Sequence, residues 1–409
     1  MTVAGVFLVL IGLIAFGLSV PVALGATALF YLVVLSDLAF SAASIGLLGA
    51  QIASAMQDYV LGAIVLFVFY GRLCAGMDIR GRFATSFAAL LGGRRMAATL
   101  GEVLASLIQP DTAGDALLQR NDDAAATVNR LRLAGTAGWS AFGQAAGLAG
   151  LRVVMPPGIV LIIVAYVFEE SIFRLFGQML LWALFIAGLI LVLAIPAGRN
   201  SAVARDAGTR VEWLVFLWIL APVLILGLIG GGILTPTEAG ALAVAIALIF
   251  GAVLRQLSGR ILLRATQDSL YDIGAIFLVI VFARVFSFAV TTEGFPAMLS
   301  NWSVVAGPSV ALAGILVLTF ATSATTGLLV TLFVLGPLAS LAMTVVGIDP
   351  IGFAIAFALV ATLGLLVPPV GAIFATLAVG TMERVRLVVA GVAFFSLPIV
   401  IVLLIALWR

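Results

Sequence analysis

The sequence predicts an all-α polytopic membrane protein that is folded from two related halves. Of its 409 residues, 64% are hydrophobic and 9% are charged, whereas soluble globular domains carry about a quarter charged residues. Long apolar runs recur along the chain, and marker sequences of the first half return in the second half. The composition excludes most soluble enzymes, and the net charge of +2 gives no indication of nucleic-acid binding.

The absence of two residue types excludes several chemistries. All 20 basic residues are arginine, so the chain has neither lysine nor histidine. Histidine metal sites, Ser-His-Asp relays and Schiff-base lysines are therefore excluded. Cys74 is the only cysteine, so no internal disulfide can form. We expect no catalytic residue, no metal centre and no organic cofactor, and a membrane enzyme is the weakest interpretation.

The apolar runs provide for about ten to thirteen membrane crossings or re-entrant segments, since one crossing needs about 20 residues. They lie near residues 3–18, 22–35, 60–76, 153–168, 175–195, 213–229, 239–254, 273–290, 309–320, 328–346, 351–366 and 387–407. Two basic stretches, Met77–Arg95 and Arg255–Asp272, are predicted to be helices along the membrane surface. The polar linker 199–212 separates a first repeat, residues 1–198, from a second repeat, residues 213–409.

The two halves share markers in the same order. SVPVALGATAL around Pro21 matches LTPTEAGALAV around Pro236, and MPPG in the first half matches VPPVG in the second half at nearly the same spacing. Internal duplication with Gly/Pro-interrupted apolar segments is typical of secondary transporters. The sequence therefore predicts two inverted repeats.

The double prolines are predicted to break helices, because each proline removes a backbone donor and the freed carbonyls need partners that lipid lacks. Such breaks occur where the backbone faces protein or a water-filled cavity, as in a re-entrant hairpin. A simple kink or helix start is the alternative interpretation. The residues concerned are Pro156, Pro157, Gly158, Pro368, Pro369 and Gly371.

Three segments carry a family resemblance: GILTPTEAGALAVAIAL at Gly232–Leu248, TTEGFP at Thr291–Pro296, and GIDPIGFAIAFALVATLGLLVPPVG at Gly347–Gly371. They resemble the large membrane subunit of TRAP (tripartite ATP-independent periplasmic) transporters. The resemblance implies an elevator-type carrier in the bacterial inner membrane, with a scaffold and a moving domain that has two re-entrant hairpins. It also implies sodium-driven uptake of an organic acid. The implied partners are a periplasmic binding protein and a small four-helix membrane subunit, within a lipid bilayer.

Four hydroxyl residues are candidate sodium ligands in the second half, together with the backbone near Leu366. They are Thr322, Ser323, Thr325 and Thr326. Hard cations such as sodium are bound by hydroxyl and carbonyl oxygens. The alternative is that these hydroxyls only hydrogen-bond helix carbonyls. Two positions where the family has polar side chains, Val360 and Val367, are apolar here.

Two arginines in apolar surroundings, Arg284 and Arg152, are candidate ligands of a substrate carboxylate, which arginine binds with two parallel hydrogen bonds. Pairing with a local acid or a neighbouring subunit is the alternative. The family motif Thr235, Pro236, Thr237 and Glu238 begins a predicted helix, where a carboxylate suits the exposed amides. We interpret Glu238 as a capping residue.

Residues 109–140 depart from the resembled first hairpin, which is rich in small residues. The segment contains several aspartates and arginines, and each charge at bilayer depth costs at least about 2.5 kcal/mol. We expect an amphipathic surface or partner-contacting helix near 114–132, accessible to protease, rather than a membrane hairpin. This departure supports a second hypothesis: a transport-inactive TRAP-derived structural or assembly subunit whose partners are subunits of another membrane complex.

Overall fold

In the computed structural model, the described residues are 3–16, 18, 20–31, 46, 49–50, 52–54, 59–92, 96–118, 122–197, 211–292, 294–295, 297–298, 301–302, 307–346, 349–367, 389, 391–393 and 396–401. The regular structure within these ranges is helical. The described helices before residue 198 are α1 Val3–Ala15, α2 Val20–Phe30, α3 Tyr59–Gly76, α4 Ile79–Leu90, α5 Ala97–Ile108, α6 Asp122–Leu133, α7 Gly138–Val154, α8 Ile159–Val167 and α9 Ile172–Ala197.

The second repeat begins with a 3₁₀-helix, Trp213–Ile219, that continues directly into α10. A short α-helical turn, Leu328–Val330, and a π-helical turn, Thr331–Leu335, run into α14. The remaining helices are α10 Leu220–Gly230, α11 Pro236–Val253, α12 Gly259–Thr292, α13 Pro308–Thr326, α14 Gly336–Val346 and α15 Pro350–Leu366.

Several helices are long and apolar enough to cross a membrane. Among the described residues there are four: most of α9, the 3₁₀-helix with α10, α11 and α12. The number rises to six if two bent pairs each form one span, namely α3 with α4 at 52° and α7 with α8 at 47°. Shorter apolar helices account for much of the remaining described structure. The prediction of an all-α membrane protein is therefore confirmed.

The two basic stretches behave differently. In the first stretch, α4 is a separate helix that bends by 52° from α3, and its Arg80 is buried against Asp123. The place of α4 along the membrane surface stays a prediction. In the second stretch, the prediction of a separate surface helix is wrong, because α12 runs without interruption through 34 residues from Gly259 to Thr292. No proline lies in this segment, and the polar first turns therefore continue into the apolar part. At 1.5 Å per residue, α12 is about 50 Å long.

The helices pack as two bundles. The first bundle contains α1, α2, α3, α10, α11 and α12, with α3 lying between α11 and α12. The second bundle contains α4 to α9 and α13 to α15, with α7 in contact with α5, α6, α9 and α15. The bundles meet where α3 contacts α8 and where α12 contacts the π-helical turn.

The glycines of the repeated marker sequences make equivalent close contacts. A Cβ on Gly25 of α2 would lie 2.8 Å from the Phe282 ring of α12. A Cβ on Gly240 of α11 would lie 2.9 Å from Cβ of Leu66 on α3. Each repeat therefore packs its glycine against a helix of the other repeat.

Candidate functional site

Two equivalent helices, α7 and α15, lie in contact with each other inside the second bundle. Each has 17 residues, and one residue separates the end of each helix from a double proline in the sequence. The residues that follow, Met155 and Val367, both leave the helical conformation with ψ of 124°. The two repeats thus bring matching helix ends into the interior of one bundle.

The helix break predicted in the first repeat is confirmed. After α7 the chain passes through buried residues and resumes as α8 in a new direction, 47° away. The break comprises Met155, Pro156, Pro157 and Gly158. The corresponding residues of the second repeat, Pro368, Pro369 and Gly371, lie outside the described residues.

Residues 109–118, which follow α5, are buried or half-buried, so the expectation of a surface element is wrong for this part of 109–140. We call α5, α6 and the residues between them the first hairpin, and residues 109–118 its tip. Within the tip, Asp111 and Thr112 are 3% and 1% exposed. The helix begins at Asp122 rather than near 114. As the spacing predicted, α6 is amphipathic, since Val128 and Leu131 are buried while its last residues are exposed.

Asp111 holds the hairpin tip in place. Its carboxylate accepts hydrogen bonds from the backbone N–H groups of Asp115 at 2.9 Å and Ala116 at 2.8 Å. Its own N–H donates to the carbonyl of Arg152 at 3.0 Å, and its carbonyl accepts from the N–H of Ile159 at 3.2 Å. The tip thereby supplies hydrogen-bond partners for backbone groups on both sides of the proline break. These groups therefore need no water or lipid to satisfy them.

Arg152 forms an ion pair with Asp123, an acidic residue of the first hairpin. Its Nη1 lies 3.1 Å from Oδ2 of Asp123 on α6, and Arg80 of α4 approaches the other oxygen of the same carboxylate at 3.4 Å. Both arginine side chains are almost fully buried, at 8% and 7% exposure. The local-acid alternative is therefore confirmed for Arg152, and the structure gives no support for a substrate carboxylate there.

A second buried pair joins α5 to α6. The Glu102 side chain is 2% exposed and pairs with Arg130, whose Nε and Nη2 both donate to the carboxylate. The Thr127 hydroxyl also donates to Glu102, at 3.3 Å. Nearby, the Thr99 hydroxyl donates to the Gln144 amide oxygen and so links α5 to α7. Glu102 and Arg130 therefore satisfy each other's charge inside the protein.

Sequence reasoning missed a third cluster, in which Arg72 of α3 lies between two carboxylates. Its Nη2 is 2.9 Å from Asp115 of the hairpin tip, and its Nε donates to Asp272 of α12 at 2.5 Å. Asp272 is fully buried. The sequence offers one signal for this cluster, since Arg72 and Asp272 are opposite charges within or beside apolar runs. Such charges pair with each other inside membrane proteins.

The four hydroxyl candidates for sodium lie along α13, and the hydroxyls of Ser323, Thr325 and Thr326 donate to helix carbonyls. Thr325 donates to Ala321 O at 2.8 Å and Thr326 to Thr322 O at 2.9 Å, within the same helix. Ser323 donates across to Ala361 O of α15 at 2.5 Å. The alternative pattern of hydroxyl-to-carbonyl bonding is thus observed, although each hydroxyl oxygen still has lone pairs. Leu366, the last residue of α15, is buried.

The backbones of α13 and α15 approach closely beside Ser323. A Cβ on Gly364 would lie 2.6 Å from Cβ of Ser323 and 2.9 Å from the carbonyl oxygen of Phe320. One turn further, Gly327 adopts a positive φ of 91° and ends α13. Hydroxyls, helix-end carbonyls and a backbone contact therefore converge at the end of this helix.

Arg284 lines a cavity between the two bundles, which has a volume of about 900 Å³. The guanidinium carbon lies 5.5 Å from the centroid of the Tyr166 ring, a cation–π geometry. The first bundle contributes Ser287 and Thr291 of α12, and the second bundle contributes Glu169 and residues near the π-helical turn. Of the two candidate arginines, Arg284 is the one that faces an open space.

Thr235 and Glu238 form a reciprocal cap at the start of α11. The Thr235 oxygen accepts from the N–H of Glu238 at 3.3 Å, and the Glu238 carboxylate accepts from the N–H of Thr235 at 2.8 Å. Pro236 occupies the first turn, where its missing donor is not needed. Thr237 would contact a Cβ on Gly62 of α3 at 3.3 Å. The interpretation of Glu238 as a capping residue is confirmed.

Residues 7–409 match the family described as the tripartite ATP-independent periplasmic transporter, DctM component. The chain belongs to this family. It is a TRAP large permease and a multi-pass membrane protein. The chain is 27% identical to the sialic acid TRAP transporter large permease protein SiaM of Vibrio cholerae over 372 residues, which cover 88% of this chain and 86% of that protein.

Two further relatives have similar coverage. The C4-dicarboxylate TRAP transporter large permease protein DctM of Pseudomonas aeruginosa is 29% identical over 85% of this chain and 84% of its own length. The 2,3-diketo-L-gulonate TRAP transporter large permease protein YiaN of Escherichia coli is 26% identical over 88% and 86%. The crystal structure of the Alcanivorax borkumensis YdaH transporter shares the fold, with a TM-score of 0.62, 14% identity and coverage of 90% and 89%.

Proposed function

We propose that this TRAP large permease carries an organic acid across the bacterial inner membrane, driven by sodium. It receives the acid from a periplasmic binding protein and works with a small four-helix membrane subunit. The observation that carries the proposal is the meeting of α7 and α15, two helices that end at matching points inside one bundle. Paired helix ends of this kind supply backbone groups to substrates and ions near the membrane midplane.

The substrate class is supported by the relatives and by the cavity. Relatives are named for sialic acid, C4-dicarboxylates and 2,3-diketo-L-gulonate, all of which carry carboxylates. Arg284 presents the matching charge to the cavity between the bundles. Its planar guanidinium binds a carboxylate through two parallel hydrogen bonds. The Tyr166 ring lies against this guanidinium and orients it.

The sodium site is proposed at the end of α13, where oxygen ligands are concentrated. Ser323 and Thr326 supply hydroxyl oxygens, and the helix ends near Gly327 and Leu366 supply carbonyls. Sodium is bound by such neutral oxygens without requiring a carboxylate. The small residue Gly364 brings the α15 backbone to within contact distance of Ser323.

Movement of the second bundle against the first is the proposed transport step. The cavity with Arg284 lies between the bundles, and the helix ends lie within the second bundle. Because Arg284 belongs to α12 of the first bundle, a substrate carried by a sliding second bundle would contact Arg284 in one position and leave it in the other. This arrangement corresponds to an elevator-type carrier.

Reconstitution tests the proposal. Proteoliposomes containing both membrane subunits are supplied with the acid-loaded binding protein, with sodium or choline outside. We expect uptake with sodium and at most background uptake with choline. Equal uptake in both salts would refute sodium coupling but leave the carrier function standing. No uptake in either salt, while a family control is active, would refute the carrier and favour the structural-subunit hypothesis.

A further inference from the structure

The hairpin tip touches the first bundle directly, through backbone rather than long side chains. A Cβ on Gly71 of α3 would lie 2.4 Å from the backbone nitrogen and 2.6 Å from Cα of Ala113. Only glycine permits this approach, because any side chain would overlap the tip backbone. The tip belongs to the second bundle through Asp111 and Arg152, so this contact lies at a boundary between the bundles.

Arg72, the residue after Gly71, joins the two sides electrostatically. It pairs with Asp272 within the first bundle and with Asp115 across the boundary. The side chains of Arg72 and Asp115 are 13% and 16% exposed, and that of Asp272 is fully buried. By contrast, the pairs of Glu102 with Arg130 and of Arg152 with Asp123 lie within the second bundle.

We propose that the Arg72–Asp115 pair is a latch that holds the first hairpin against the first bundle in one transport state. Asp272 is the fixed partner that keeps Arg72 compensated when Asp115 moves away. This inference rests on the proposed function, because a latch between bundles is needed only if they move. Asp115 acts as a positioning residue, since it sets the place of the hairpin tip through Arg72.

The shared guanidinium explains how a buried ion pair can be released. An arginine that loses its only partner in a protein interior is strongly disfavoured, because the charge is left without compensation. Arg72 remains paired with Asp272 whether the latch is closed or open, so release of Asp115 does not leave the Arg72 charge without compensation. Other charges that face Asp115 through space are Asp111 in the same tip, Arg152 of α7 and Asp123 of α6. They all move with the second bundle.

Cysteine labelling in the assembled complex tests the latch. Cys74, the only native cysteine, is replaced by alanine, and Thr112 of the tip, which is 1% exposed, is replaced by cysteine of similar size. In this background we compare Asp115→Asn, Asp272→Asn and the control Asp268→Asn, an exposed aspartate one turn before Asp272 on α12. The readout is the labelling rate by a small methanethiosulfonate reagent in proteoliposomes.

We expect D115N to raise the labelling rate about tenfold, which corresponds to about 1.4 kcal/mol. D272N leaves Asp115 as the remaining partner of Arg72, so we expect it to leave labelling unchanged or slower. D268N should label like the parent. The latch is refuted if D115N labels at the parental rate, or if D272N accelerates labelling as much as D115N, since that result indicates general loosening.

The labelling assay and the uptake assay distinguish failure of the latch from failure of the proposed function. The labelling assay needs folded complex, which size-exclusion chromatography of each variant verifies, but it needs neither substrate nor a sodium gradient. Absence of uptake with the labelling pattern intact would overturn the proposed function and not the ion-pair contact. Normal uptake with identical labelling of D115N and its parent would overturn the latch alone.

Discussion

Removal of the Glu102 charge should destabilise the protein more than the same substitution at the surface. Glu102 is 1% exposed and accepts hydrogen bonds from Arg130 and Thr127. The substitution Glu102→Gln leaves the Arg130 guanidinium without its counter-charge inside the first hairpin. Breaking a buried pair in this way costs about 3–5 kcal/mol. Because the Arg130 side chain is 22% exposed and the new amide still accepts one hydrogen bond, we expect about 3 kcal/mol.

Glu212→Gln is the matched control, because Glu212 pairs with Arg82 at 3.2 Å while both side chains are 40% or more exposed. Exposed pairs contribute at most about 1 kcal/mol. The assay is equilibrium unfolding in mixed detergent micelles, which gives the free energy of unfolding for each variant. The double variant E102Q/R130M should recover part of the loss, since it removes the uncompensated charge. An E102Q loss no larger than that of E212Q would refute the account of the hairpin as an internally paired element.

Three other substitutions test separate parts of the structure. Gly364→Ala should destabilise by about 1–3 kcal/mol, because its Cβ would overlap Ser323. In the same unfolding measurement Gly274→Ala, with open space around it in α12, should instead stabilise by up to about 1 kcal/mol. Thr235→Ala should lose about 1 kcal/mol from the α11 cap, and an unchanged free energy of unfolding would contradict that role. Arg284→Gln should lower initial uptake at least about tenfold, since a charge-assisted hydrogen bond contributes about 1.5–3 kcal/mol, while an exposed arginine of the same helix changed in the same way, R264Q, should transport normally.

The features that sequence predicted well are those that depend on local chemistry. The break at Pro156–Pro157 follows from missing backbone donors, and the Thr235–Glu238 cap follows from residue types three positions apart. The amphipathic face of α6 follows from its spacing. In each case the partner atoms lie within a few residues of each other, so no knowledge of the tertiary structure was needed.

The burial of the first hairpin does not follow from its sequence, because each of its charges, taken singly, predicts exposure to water. An insertion penalty applies to an unpaired charge, but the partner of Glu102 lies 28 residues away and the partner of Arg72 on α12 lies 200 residues away. Periodicity cannot supply contacts of that separation. The continuity of α12 does not follow from composition, because the change from polar to apolar residues predicts a helix boundary, whereas no proline interrupts the segment.

The pairing of these charges also bears on the choice between the two hypotheses. The altered first hairpin, together with the apolar Val360 and Val367, favours a repurposed structural subunit. Glu102 pairs with Arg130 in the interior, and Asp123, whose side chain is 45% exposed, pairs with Arg152 and Arg80, so neither carboxylate requires an external partner. The departure from a small-residue hairpin is therefore compatible with a carrier.

Accumulation against a gradient tests the central claim most directly. Proteoliposomes with both membrane subunits and the loaded binding protein outside are given an inward sodium gradient, and the internal concentration of the radiolabelled acid is followed. The account predicts accumulation above the external concentration, abolished when a sodium ionophore removes the gradient. Equilibration without accumulation, or accumulation that is indifferent to the ionophore, would contradict sodium-driven transport by this TRAP permease.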